Sequence, residues 1–82
     1  MTSAQPLVQL LTKQGCHLCA DAREVVATVT ASLGKSWEEV DIATDPALAQ
    51  RYAEEIPVLL IDGVQRDFWR IDAARLTRLL SA

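Results

Sequence analysis

The chain has 82 residues, half of them hydrophobic and 23% charged, the balance of a globular protein with room for one small domain over 1–82. Eleven acidic against eight basic side chains leave a net charge of −3. That argues against nucleic acid as the main partner, because phosphate binding needs a basic face. The longest apolar run, around Ile56 to Ile61, is far shorter than a bilayer span. The opening Met-Thr-Ser-Ala-Gln-Pro has neither the basic nor the apolar stretch of a secretory leader. A cytoplasmic protein with no membrane partner is expected.

Leu7 to Thr12 follows Pro6 and reads as a short buried strand, broken by Lys13-Gln14-Gly15. From Leu18 the apolar residues recur at three and four. Leu18, Cys19, Ala22, Val25, Val26, Val29 and Leu33 form one helical face, with Asp21, Arg23, Glu24 and Thr28 opposite. Gly34 stands where a helix C-terminus is often closed. Ser36 to Ile42 is a second strand whose many charges suit a sheet edge. Asp45 can cap the next helix and Pro46 suits its first position. That helix is expected to run to about Ala53 with Leu48, Ala49 and Tyr52 inward.

Ile56 to Ile61 is a buried strand with a proline near its start, where one is tolerated. Asp62-Gly63 is a strong hairpin signal, so Val64 to about Arg70 returns as the fourth strand. Of the adjacent Phe68 and Trp69, one should point inward and the other outward. Asp72 caps a last helix with Ala73, Leu76, Leu79 and Leu80 inside. The order is strand, helix, strand, helix, strand, strand, helix. The first crossover makes two strands parallel and the hairpin makes two antiparallel. The expected fold is α/β or α+β, a four-stranded mixed sheet flanked by helices.

Two cysteines are too few for a disulfide-stapled mini-protein. They stand as Cys16-His17-Leu18-Cys19, between a strand and a helix inside a βαβ unit, which is the setting of a redox dithiol. Cys16 falls where the helix begins, and Cys19 lies one turn further on the same face. The unsatisfied N–H groups and the dipole at that end favour a thiolate at Cys16. Lys13, and His17 when protonated, would add positive charge. Cys16 is thus the expected nucleophile and Cys19 the resolving thiol. Two other readings stay open: an inert pair of small hydrophobes, or a metal site short of donors and shared between subunits or with a small thiol. His17 either tunes the thiolate or is simply solvated. Pro57 either opens a strand in trans or is a cis-proline beside the thiols; cis is the rarer form.

Thr12-Lys13-Gln14-Gly15-Cys16-His17-Leu18-Cys19, then Glu55-Ile56-Pro57-Val58 and Asp62-Gly63, resemble the glutaredoxin branch of the thioredoxin-fold proteins over nearly the whole chain. The likeness is greatest to very small bacterial glutaredoxin-like proteins with Cys-His-Leu-Cys. The resemblance implies a thioredoxin-like fold with strand order 2-1-3-4 and a cis peptide at Pro57. It implies that the Ile56 backbone pairs with a bound thiol peptide. Lys13 matches a lysine that sits beside the thiolate and can meet a glutathione carboxylate. Two departures stand out. His17 and Leu18 replace the usual Pro-Tyr between the cysteines. Trp69-Arg70-Ile71-Asp72 replaces the usual Gly-Gly-x-Asp, retaining the Asp without the glycines whose amides hold a glutathione carboxylate. Arg70 either takes over that carboxylate or faces solvent.

The function expected is a thiol–disulfide oxidoreductase or electron carrier, with Cys16 and Cys19 catalytic, Lys13 and His17 tuning, and Ile56, Pro57, Arg70 and Asp72 binding substrate. No bound cofactor and no metal are expected; glutathione or another small thiol would serve as reductant. Partners would be a disulfide-containing protein or small-thiol substrate and a reductase, and the chain a monomer. The alternatives are a binding module that kept the fold without turnover, and a carrier of a metal or iron–sulfur cluster bridging two subunits.

Overall fold

Alternation along the central strands divides the core into two clusters, one on each face of the sheet. The computed structural model describes residues 6–81, so the reading of the first five residues as no leader lies outside the described residues. Strand β1 (Val8–Thr12) turns Val8 and Leu10 to one face and Leu11 to the other. Strand β3 (Val58–Ile61) turns Leu59 to the first face and Val58 and Leu60 to the second. This is the two-residue period of a strand buried on both sides. Helix α1 (His17–Ser32) and helix α3 (Ala73–Ser81) cover the first face with Ala22, Val26, Val29, Leu76 and Leu80. Helix α2 (Pro46–Tyr52) covers the second with Tyr52, Leu48 and Ala49.

Strands β2 (Glu38–Asp41) and β4 (Val64–Phe68) form the edges, in the order β2-β1-β3-β4. Strand β1 is parallel to β2 and antiparallel to β3, which is antiparallel to β4. The element order and sheet order are those of the thioredoxin-like fold. The hairpin turn places Asp62 and Gly63 both at positive φ (53° and 80°), the geometry that favours Asp-Gly. Asp62 also ties the N-terminal strand down. Its carboxylate accepts from Leu7 N (2.8 Å) and its own N–H donates to Leu7 O (2.9 Å). Thr30, a polar residue inside α1, is tolerated in the core because its hydroxyl donates to Val26 O (2.7 Å).

Several expectations are corrected. The second strand is Glu38–Asp41 rather than Ser36 to Ile42. The Asp41 carboxylate accepts from Ala43 N (2.9 Å) and starts a 3-10 turn, Ile42–Thr44, which takes Ile42 out of the strand but leaves it buried. Strand β3 begins at Val58, since Pro57 has no N–H for the ladder. Strand β4 ends at Phe68 rather than about Arg70. Trp69 adopts φ 60°, which turns the chain out of the sheet. Strict alternation therefore fails there, and Phe68 and Trp69 are both exposed (40% and 53%), packed edge to face at 5.0 Å. Ala73, expected inside, is exposed in the first turn of α3. Among the described residues no helix is long and apolar enough to cross a membrane.

Candidate active site

The turn from β1 into α1 puts both cysteines at the end of the sheet. Gly15, at φ 77°, supplies a positive dihedral that other residues avoid, and the chain then enters the helix at Cys16. Cys16 is the N-cap of α1, with extended backbone, and its Sγ accepts a hydrogen bond from Cys19 N at 3.2 Å. Sulfur is a weak acceptor, and no acidic side chain lies in the first turn of α1. The positive end of the helix is thus presented to the Cys16 sulfur. Cys16 is half-buried and Cys19 fully buried. No disulfide joins them, and both pack with Ile56, Leu11 and Val58 in the cluster on the α2 face.

The two thiols have unequal surroundings. Burial pushes the Cys19 thiol up to about 11 from an ordinary 9.0; the hydrogen bond and charge of Cys16 act in the same sense, and a backbone hydrogen bond from Lys13 and the Arg23 charge oppose them. Arg23 is held in place by Glu39, which accepts from its Nε at 2.8 Å through both carboxylate oxygens. The same carboxylate accepts from the buried Thr12 hydroxyl (2.7 Å). This Thr12–Glu39–Arg23 chain links β1, β2 and α1 close to Cys19. The sequence reading missed it, because its members are far apart in the chain and each is unremarkable alone.

Ile56-Pro57 is a cis peptide, and both residues are buried. Beside it lies an open groove of about 400 Å³ lined by Leu18, Ile56, Phe68, Trp69 and Arg70. Trp69 is its fixed wall. The Trp69 N–H donates to Pro57 O (2.8 Å) and the indole Nε1 donates to Glu54 O (3.1 Å). These bonds offset the strain of a left-handed non-glycine residue, about 1–2 kcal/mol. Leu18 was expected on the inner face of α1; at the second helical position it is half-buried and faces this groove instead. The one cue to the aromatic wall was two adjacent aromatics in a chain with only four.

The structure therefore gathers Cys16, Cys19, Ile56 and Pro57, and sets Arg70 on the groove rim. Lys13 and His17 are exposed beside the cysteines in sequence. Asp72 does not line the thiol groove; it lines the adjoining concavity that shares Phe68 and Arg70 with it. Its carboxylate caps α3, accepting from Ala74 N (2.8 Å) and Arg75 N (3.2 Å). Its own N–H donates to the Asp67 carboxylate (3.0 Å), which also accepts from Phe68 N (2.9 Å). The loop that would offer amides to a ligand carboxylate is thus already filled by an internal one. Among the described residues no group of three or more His, Cys, Asp or Glu side chains is placed to hold a metal ion.

This architecture recurs in solved structures. A mutant thioredoxin from Halobacterium salinarum superposes with a TM-score of 0.71 at 22% identity, over 94% of this chain and 73% of that one, a likeness of fold. Protein XcR50 from X. campestris superposes with a TM-score of 0.74 at 32% identity, over 90% of this chain and 95% of that one. Among curated proteins, the Mycobacterium tuberculosis protein named "Uncharacterized protein Rv0508" is 31% identical, over 89% of this chain and 80% of its own length. A glutaredoxin-like thioredoxin fold with a Cys16–Cys19 pair fits a redox function. The model of the glutaredoxin-like domain (DUF836) matches residues 7–81, and the chain belongs to that family.

Proposed function

We propose that this chain is a dithiol oxidoreductase that reduces disulfides through Cys16 and Cys19. The observation that carries the reading is the helix cap: a half-buried Cys16 sulfur stands at the N-terminus of α1, bonded to the N–H of a fully buried Cys19. The Cys16 thiolate attacks one sulfur of a substrate disulfide. That bond breaks, a mixed disulfide forms, and the departing substrate thiolate takes up a proton. Cys19 then loses its proton and attacks the Cys16 sulfur, releasing the second substrate thiol. Two electrons and two protons have passed to the substrate, and the Cys16–Cys19 disulfide remains.

The order of steps follows from the environment of Cys19. At rest its proton is held by burial, helped by the hydrogen bond and charge of Cys16. Once Cys16 is tied up in the mixed disulfide, that negative charge is gone, while the Lys13 backbone bond and the Arg23 charge still favour the Cys19 thiolate. The resolving thiol is thereby released for attack when it is needed. Lys13 and His17 would tune Cys16, and the Ile56 backbone beside Pro57 would pair with the substrate segment. Arg70 would meet the substrate at the groove rim. Asp72 would act by ordering, with Asp67, the loop beside the groove. Glutathione, another small thiol or a reductase of the cytoplasm would return the dithiol, and the chain would work as a monomer without bound cofactor or metal.

Replacing Cys16 by Ser should abolish disulfide reduction, and Cys19→Ser should trap mixed disulfides with substrate. Full turnover in Cys16→Ser would end the reading. Titration in graded thiol buffers should place the midpoint of the pair at roughly −180 to −280 mV, where redox carriers work. Failure to form the disulfide would favour a binding module, the second reading, which the internally filled loop at Asp67 also suits.

A further inference from the structure

Strand β4 carries a bulge. Ile61 pairs with Val64 and Leu60 with Gln65, but Leu59 pairs with Asp67, so Arg66 has no partner in the ladder. Bulges re-aim side chains and free backbone groups. Here the Arg66 carbonyl accepts from Arg75 Nε at 2.9 Å, tying α3 to the edge strand. Arg78 follows Arg75 by three residues on α3, so the two share a helix face. Arg66, Arg75 and Arg78 line one concavity of about 390 Å³ floored by Ile61 and Leu79. A second, of about 630 Å³, shares Arg66 and Arg75 with the first and continues to Phe68 and Arg70. Phe68 and Arg70 also wall the groove beside the dithiol.

Four of the chain's eight basic residues thus mark a continuous track in a protein of net charge −3. Among the described residues the one ion pair is Arg23–Glu39, so none of these four arginines is paired with an acid. The two acids in the track, Asp67 and Asp72, have their carboxylates bonded to backbone N–H groups. Four arginines against these two carboxylates leave the track with an excess of two positive charges, a field that favours an incoming anion. The track spans three adjoining concavities and opens at one end beside Ile56 and Leu18. That extent suits a chain segment rather than a single small anion.

We propose that the disulfide-bearing partner of this protein presents an acidic segment, which docks along Arg66, Arg75, Arg78 and Arg70 while its disulfide enters the groove beside Cys16. The proposal rests on the dithiol reading above. Complementary charge of this kind raises encounter rates and affinity at low salt and is screened as salt rises.

The test uses two labelled peptides with the same central disulfide, one flanked by glutamates and the other by lysines. Affinity is read by fluorescence anisotropy on the oxidised protein, where no exchange can occur. The glutamate peptide should bind about tenfold more tightly at low ionic strength, and the preference should shrink at high salt. Arg66→Glu with Arg78→Glu should reverse it. Arg66→Gln with Arg78→Gln, which adds no repulsion, should erase most of it and serves if the reversed pair folds poorly. Equal affinity for both peptides would overturn the proposal, as would a preference that neither pair alters. Strong binding of pyrophosphate that depends on the arginines, with no preference between peptides, would assign the track to a small anion instead. Reduction of a small neutral disulfide is measured separately on the reduced protein. Its absence, with the charge preference intact, would bring down the dithiol reading and leave the docking surface standing.

Discussion

Helices α1 and α3 begin on the same flank of the molecule but are capped by different chemistry. Helix α3 starts at Asp72, whose carboxylate takes two backbone N–H groups, and the preceding loop is closed by a second carboxylate, Asp67. Helix α1 starts at Cys16, whose sulfur takes a single N–H at 3.2 Å. A carboxylate fills the positive end of a helix permanently and contributes roughly 1 kcal/mol to stability. A thiol fills it weakly and can leave it for another sulfur. The two starts show the same helix-end electrostatics serving stability in one place and reactivity in the other.

The sharpest way to break this comparison is to exchange the chemistry. Cys16→Asp gives α1 a strong cap of the α3 type. It should keep or raise the thermal midpoint of the reduced protein while disulfide reduction falls to background. A variant that unfolds, or that still reduces disulfides, would show that Cys16 is not working as a cap with a reactive atom. The reciprocal change is smaller. Asp72→Ala removes both cap bonds of α3 and should lower stability by about 1 kcal/mol in urea titrations. The rate at which Cys16 is alkylated should stay within about twofold of wild type, since the cap bonds of α1 are untouched. A large loss of Cys16 reactivity would mean that the two helix starts are coupled through the loop at Trp69.

The smallest expected effect is on pH dependence. The folded chain holds the Cys19 proton up to about 11, whereas a thiol at its ordinary 9.0 releases it earlier. Between those values the unfolded chain binds fewer protons than the folded one, so stability is full below about 9 and falls as pH rises toward about 11. The thermal midpoint of the reduced protein should decline across that window, beyond any decline of the oxidised protein, in which neither thiol titrates. Equal pH profiles for both forms would remove the special burial of Cys19.

Where local chemistry decides, the sequence could be read. The dithiol, the caps at Asp45 and Asp72, the Asp-Gly turn and the two-sided strands each follow from a few neighbouring residues. Features set by distant contacts could not be read this way. Leu18 obeys the spacing of a buried helical face, yet in the first turn of α1 it lines the groove with Ile56 and Trp69, which come from distant parts of the chain. Trp69 is a poor candidate for positive φ on its own; bonds to Pro57 and Glu54, more than ten residues away in the chain, hold it there. The bulge at Arg66 depends on how two strands register, which neither strand reveals separately. The Thr12–Glu39–Arg23 chain likewise joins three elements whose pairing must be known first.

The anchoring of Trp69 has a practical side. Of the chain's two indoles, Trp37 is half-buried against the cluster on the α1 face, while Trp69 stands in solvent on the groove wall. A disulfide or aromatic group brought into the groove would quench or shift the emission of Trp69 and leave that of Trp37 as an internal reference. The protein thus carries an intrinsic optical gauge of occupancy, readable without labels in stopped-flow or titration.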